Sequence, residues 1–191
     1  MKFFIISYHG DARGHRLSTQ LAMQFSEYVK LNYEYSVEGP WTNPPAIENG
    51  YTLYHYNSRS FFQKELHNEL TLPKKFNPLI HPDADRLDPD KYNIVITHAY
   101  SNEKIQIIKE FFKDHKIIIC GITYTKDNIE YLVNRNYSLK NNLDKQELYI
   151  YYNDYLDIPT SHDITISLDR LISDEEFIDL TDIYEYIKEK Q

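Results

Sequence analysis

Short apolar runs alternate along this chain with longer stretches in which apolar residues recur every three or four positions, a pattern that predicts strands followed by helices. The first run, FFIIS (3–7), predicts a buried strand. A turn, HGDARG, separates it from an amphipathic helix carrying Leu17, Leu21, Phe25 and Tyr28 at helical spacing, expected to fade near Asn32. The segment EGPWTNPPAIENG (38–50) predicts loop, because its prolines and glycines break any period. YTLYHY (51–56) then predicts a strand, and SRSFFQKELHNEL a short helix opened by Ser58 or Ser60 as N-cap. Pro73 to Pro89 predicts a second long irregular connection.

The strongest strand signals follow. NIVITHAY (93–100) and KIIICGIT (116–123) are apolar runs, each leading into a helix. In the first of these helices Ser101 is the expected cap, with Ile105, Ile108 and Phe112 on one face. In the second, Asp127 is the expected cap, with Ile129, Leu132, Val133 and Tyr137 sharing a face. LDKQELYIYYNDYLD (143–157) favours helix over strand, and ITISL (164–168) predicts the last strand. A closing helix turns Phe177, Leu180, Ile183, Tyr184 and Ile187 inward. The pattern contains no internal repeat and no linker, so residues 1–191 read as a single domain. Strands alternating with helices imply an α/β fold: a parallel sheet with helices on both faces. In such folds ligands bind at the carboxyl ends of the strands, which points to the loops after Ser7, Ile96, Ile122 and Leu168.

Composition narrows the choice of partner. Hydrophobic residues make up 41% and charged residues 26%, so the chain can bury a core. A net charge of −8 argues against a broad surface for nucleic acid or anionic membrane, while leaving room for a local cationic pocket. The single cysteine, Cys120, excludes an internal disulfide and a cysteine-rich zinc site. No transmembrane span or signal peptide is evident, so a reducing, cytoplasmic setting is expected. The abundance of Tyr, Asn, Lys and Ile suits an AT-rich genome such as that of many phages, in which case the cytoplasm is the host's.

The turn SYHGDARGHRLS is where cations gather. Gly10 and Gly14 permit close backbone approach, and the amides of Gly14, His15, Arg16 and Leu17 are candidates for the unpaired donors of a helix N-terminus. Such donors bind phosphate or sulfate, and Arg13, His15 and Arg16 add positive or donor groups beside them. The alternative is an ordinary surface turn with solvated arginines. A Walker A loop it is not: three residues rather than four separate the glycines, and His15–Arg16 stands where Lys–Ser or Lys–Thr belongs. No hydroxyl is placed for Mg²⁺, and NIVITHAY lacks the acid that would complete a metal site, so an ATP-driven motor is not expected.

Together these segments resemble the sulfotransferase branch of the P-loop superfamily, in order along nearly the whole chain. DARGHRLS resembles the loop that binds the 5′ phosphosulfate of PAPS. NIVITHAY resembles the later strand ending in Thr-His. KIIICGITYTKDNIEYLVNRNY resembles the strand and helix that contact the 3′-phosphate, and ITISLDRLISDEEFIDLTDIYEYI (164–187) resembles the closing strand, loop and helix. The resemblance implies a three-layer P-loop-type fold with a parallel central sheet, and PAPS as the cofactor, without a metal. It implies that Gly10, Arg13, Gly14, His15, Arg16 and Leu17 bind the phosphosulfate. His98 would be the catalytic base that takes a proton from an acceptor hydroxyl, with Arg13 beside the transferred group. One departure stands out: the family's Arg and Ser for the 3′-phosphate correspond here to Thr123 and Tyr131, with Arg135 and Lys126 nearby.

Other candidates are weaker. His98 also has a plain structural reading, and His9 is as readily a strand-end polar residue as a ligand contact. His55, His67 and His81 are too scattered for a metal cluster. Asp83, Asp85, Asp88 and Asp90 mimic a calcium loop but lack its glycine and closing glutamate. The run Tyr149, Tyr151, Tyr152 and Tyr155 reads as packing before stacking surface. Three functions follow from these observations. The first is a PAPS-dependent sulfotransferase acting on an unknown hydroxyl acceptor. The second is a non-catalytic descendant that binds an assembly partner, in a virion for instance. The third, disfavoured by the missing Walker lysine, is a small-molecule kinase.

Overall fold

The computed structural model describes residues 1–8, 13–31, 46–48, 51–53, 87–97, 100–139, 144–153, 156, 161–173 and 175–191. Within them an α/β fold forms around a five-stranded sheet. Strand β1 (Lys2–Ser7) lies at its centre, with β5 (Tyr92–Thr97) on one side and β6 (Lys116–Thr123) on the other. The outer positions go to β2 (Val29–Leu31), beside β5, and β7 (Ile164–Ser167), beside β6. Every pair in this sheet is parallel. A separate antiparallel pair joins β3 (Ala46–Glu48) to β4 (Tyr51–Leu53).

Burial on both faces explains why the central strands are continuous apolar runs rather than alternating ones. Phe4, Ile6, Ile118, Cys120 and Ile122 project to one face. They pack there with Leu17 and Leu21 of α1 (Gly14–Gln24) and Leu132 and Val133 of α3 (Lys126–Leu139). Leu148 and Tyr152 of α4 (Lys145–Asn153) and Ile183 and Ile187 of α6 (Thr181–Glu189) belong to the same cluster. Phe3, Ile5 and Ile119 project to the other face, against Ile105, Ile108 and Phe112 from α2 (Asn102–Phe111) and the turn after it. Helices therefore cover both faces. Among the described residues no helix is long and apolar enough to cross a membrane.

Several local expectations need correction. The first helix does not run to Asn32. It ends at Gln24, and Val29–Leu31 becomes the edge strand β2, because pairing with β5 satisfies its backbone and buries Val29. Ala46–Glu48, expected in a loop, pairs with β4 instead. Asp127 is exposed, and the side chain that returns to the start of α3 is that of Asn128, whose Oδ1 accepts from the Thr125 amide at 3.0 Å. Tyr137 is exposed rather than inward, and Lys145 lies over its ring. Phe177 is exposed too, because it lies in an irregular stretch between a short helix, α5 (Leu168–Ile172), and α6, which begins only at Thr181. Of the tyrosine run, Tyr152 is buried while Tyr149 and Tyr151 are exposed. The helix expected at 58–70, most of the 73–89 connection, His55, His67, His81, Asp83, Asp85 and Tyr155 lie outside the described residues.

Candidate functional site

A parallel sheet brings all its carboxyl ends to one edge. Four neighbouring strands finish there on hydroxyl residues: Thr97 of β5, Ser7 of β1, Thr123 of β6 and Ser167 of β7. From β1 the chain moves out to β2, returns through β5, then passes across β1 to β6 and β7. The loops leaving β1 and β5 therefore head towards opposite edges of the sheet, which makes the β1–β5 boundary the topological switch point.

At this edge β1 leads into α1. Arg13, the residue before the helix, holds the left-handed conformation at φ 59 and ψ 26, and its side chain makes no capping bond. The first turn carries no acidic residue. One expected donor is lost, since the Leu17 amide already donates to the Arg13 carbonyl at 3.2 Å and closes the first helical turn. The amides of Gly14 and His15 stand in the same first turn, ordered by helical backbone with positive potential at their end. Gly14 has a structural use as well. A Cβ there would stand 2.4 Å from Cε1 of Tyr8, so the buried Tyr8 ring rests directly on the helix backbone. Gly10, His9 and His98 lie outside the described residues, as does the side chain of His15.

The two arginines are both held by the protein. Arg13 donates from Nε to the Tyr131 hydroxyl at 2.8 Å, and its guanidinium carbon is 5.9 Å from the centre of that ring. The loop expected to bind phosphosulfate and the position expected to meet the 3′-phosphate are thus in contact. Arg16 donates to the carbonyls of Leu171, Ser173 and Glu175 at 3.0, 2.7 and 2.6 Å. One and two turns further along α1, Gln20 and Gln24 donate to the carbonyls of Glu176 and Ile178. A polar stripe on α1 therefore satisfies carbonyls of the irregular backbone between α5 and α6, which among the described residues forms neither helix nor strand.

Beyond α1, a second polar network fixes the neighbouring ends. Ser167 caps α5 by accepting from the Asp169 amide, and Asp169 accepts from Asn128 of α3 at 2.6 Å. Thr123 turns its hydroxyl to the Ile166 carbonyl at 3.4 Å and supplies no cation. Lys126 is exposed and Arg135 half-buried, both on α3. Among the described residues no group of three His, Cys, Asp or Glu side chains could hold a metal ion.

One constellation was not legible in advance. His162, just before β7, lays its ring over Gly121 of β6, where a Cβ would stand 2.5 Å from Nδ1. Its Nε2 lies 3.1 Å from Oγ of Ser7, the last residue of β1, and its ring centre is 5.5 Å from that of Tyr100 beyond β5. Burial pushes the Tyr100 hydroxyl up to about 12. The available signal was Gly121 itself, an isolated glycine inside an apolar strand that marks a close approach.

No family model and no curated protein matches this chain. Among solved structures, one titled as an uncharacterized protein from Eubacterium ventriosum is similar at 13% identity and a TM-score of 0.39, over 98% of each chain.

Proposed function

We propose that this chain is a single P-loop-type domain that binds the phosphate or phosphosulfate end of a nucleotide-type ligand at the β1–α1 turn. The observation that carries the reading is positional. The central strand of an all-parallel sheet ends at the switch point and leads to a helix whose first turn carries the amides of Gly14 and His15, follows a left-handed Arg13 and contains no acid. Such a turn suits one anionic group, and the Arg13 guanidinium lies next to it in sequence. PAPS is the ligand the sequence resemblance implies, and transfer of its sulfuryl group to a hydroxyl is the corresponding reaction. Bound PAPS would supply an activated sulfuryl group, while the chain's part is to hold the anion and steady charge on the departing nucleotide. A cytoplasmic setting, the host's if a phage encodes the protein, belongs to this proposal, and the buried free thiol of Cys120 agrees with it.

A non-catalytic role on the same fold is favoured by one specific observation. Arg16 spends three donors on carbonyls of its own chain, and Thr123 offers no cation on the 3′ side. Calorimetry separates the two. With PAP, the desulfated nucleotide, the enzyme reading expects binding that Arg13→Ala weakens about tenfold, as loss of a charge-assisted contact would. Absence of heat with PAP, ATP and GTP alike refutes ligand binding and leaves the assembly role. Binding of ATP alone, and only with magnesium, would favour the kinase reading.

A further inference from the structure

The last part of the chain concentrates its negative charge. Residues 168–191 hold eight acidic and three basic side chains, a net −5 of the chain's total of −8. Within this segment the irregular stretch between α5 and α6 is held on two sides. Arg16, Gln20 and Gln24 of α1 donate to its carbonyls, while Ile178 and Leu180 are buried in the core. These ties leave Glu175, Glu176, Phe177 and Asp179 facing water, with Phe177 52% exposed. Met23, on the same side of α1 as Gln20 and Gln24, is a second exposed apolar side chain. An apolar ring displayed on anchored backbone loses little conformational freedom when a partner covers it, so such a ring suits recognition.

The charges around Phe177 select the partner. The arginines bonded to this stretch are both engaged within the chain. Arg16 donates to carbonyls, and Arg170 pairs with the Asp182 carboxylate at 2.9 Å and donates to the Asp179 carbonyl. The Asp179 carboxylate is bound by the amide and hydroxyl of Thr181. Among the described residues Glu175, Glu176 and Glu185 are in no ion pair. From Asp182 onward, the outer side of α6 forms a shallow concavity of about 530 Å³ lined by Asp182, Glu185, Tyr186, Lys188 and Glu189, three carboxylates to one ammonium. Such a surface repels the phosphates of lipid and nucleic acid. It also repels its own copy, because a two-fold interface sets the same acids against one another. A polypeptide carrying lysine or arginine around an apolar residue matches it in both respects.

We propose that Phe177 and the acids around it form a docking surface for a basic segment of another protein. An apolar residue of that segment packs on Phe177, and its lysines or arginines meet Glu175, Glu176 and the acidic concavity of α6. The inference gives the assembly reading a surface, and it does not depend on anion binding at the β1–α1 turn.

The test is fluorescence anisotropy with the intact chain and a labelled peptide of alternating lysine and leucine. The peptide is expected to bind, and Phe177→Ala should weaken it about tenfold or more, as loss of a central aromatic anchor does. The double variant Glu175→Gln, Glu176→Gln should weaken it too. Raising salt from about 0.1 M to about 1 M should loosen the wild-type complex more than that of the double variant, because screening removes what the two carboxylates contribute. The backbone ties survive all these substitutions, so urea midpoints should match the wild type and any lost affinity is a lost contact. Absence of binding, equal affinity in Phe177→Ala, or equal binding of an alternating glutamate–leucine peptide overturns the inference. So does sedimentation showing the chain paired with itself through a face that Phe177→Ala releases, since a second copy then covers the ring.

Discussion

Replacing Gly14 with alanine tests what that glycine is for. Two effects oppose each other. The backbone at residue 14 is helical, so alanine should gain up to about 1 kcal/mol by propensity alone. The new methyl, however, would stand 2.4, 2.5 and 2.6 Å from Cε1, Cδ1 and Cζ of Tyr8. Tyr8 is 3% exposed, so its ring cannot swing into solvent and either the ring or α1 must shift. Overpacking of this kind costs roughly 1–3 kcal/mol, so against that gain the clash should win by about 1 kcal/mol, at most about 2. Urea unfolding reads the difference directly. With a slope of about 2–3 kcal/mol/M, the midpoint should fall by roughly half a molar unit. The sharper measurement is the same substitution in a Tyr8→Ala background. With the ring removed the clash vanishes, and Gly14→Ala should then stabilise, reversing its sign. If Gly14→Ala is neutral or stabilising with Tyr8 present, the glycine is not reserved for that ring. If it also abolishes PAP binding, the ligand rather than the ring sets the requirement.

Two further outcomes follow from the polar contacts. Arg16→Ala should cost about 2 kcal/mol, because it leaves three carbonyls of the 171–175 stretch without their charged donor. Arg16→Lys should recover only part of that, since an ammonium does not reproduce the guanidinium fork. Hydrogen exchange should quicken at residues 175–178 in both variants, and unchanged exchange there would show that Arg16 is not the tie. Asp179 and Asp182 are held below the ordinary carboxyl value of 3.8, the first mainly by the Thr181 amide and hydroxyl and the second mainly by Arg170. A depressed carboxyl favours the folded state when ionised. Its contribution is therefore present above about pH 5 and lost as pH falls through the folded-state value. Acid unfolding followed by circular dichroism should lose part of this dependence in Arg170→Ala, and an identical acid limb in the variant would refute the assignment.

The elements most legible in the sequence were those whose burial is complete. KIIICGIT reads as a strand and is one, residue for residue, because a strand covered on both faces has no polar position to confuse the period. The faces of α2 and α3 were equally plain at Ile105, Ile108, Leu132 and Val133. What the pattern missed were short elements fixed by partners distant in sequence. Three residues, Val29–Leu31, are too few for any period, and they form a strand only because β5 lies alongside. Phe177 looked like part of the closing helix because it falls at helical spacing from Leu180 and Tyr184. There Arg16, Gln20 and Gln24 supply the hydrogen bonds that a helix would have made for itself.

The candidate site shows a related limit on reading charge and glycine from sequence. Arg13 and Arg16 were legible as cations beside a helix start, but their partners were not, because Tyr131 and residues 171–175 lie more than a hundred positions away. Once those partners are known, the two arginines separate. Arg16 is committed to three carbonyls and holds α1 to the closing segment, whereas Arg13 makes one hydrogen bond to a phenol, a contact that an incoming phosphate can outcompete through charge. Glycines divide in a similar way. Gly14 and Gly121 both admit a ring, Tyr8 over the start of α1 and His162 over β6, so at each the missing side chain serves the protein's own packing before any ligand. The second ring lies across the carboxyl ends of β1 and β6, with Nε2 3.1 Å from the hydroxyl at the end of β1. On the proposed reading, anion binding would fall to the first-turn amides and Arg13 on the α1 side of the sheet, while His162 packs on the other face against Ser7 and Gly121.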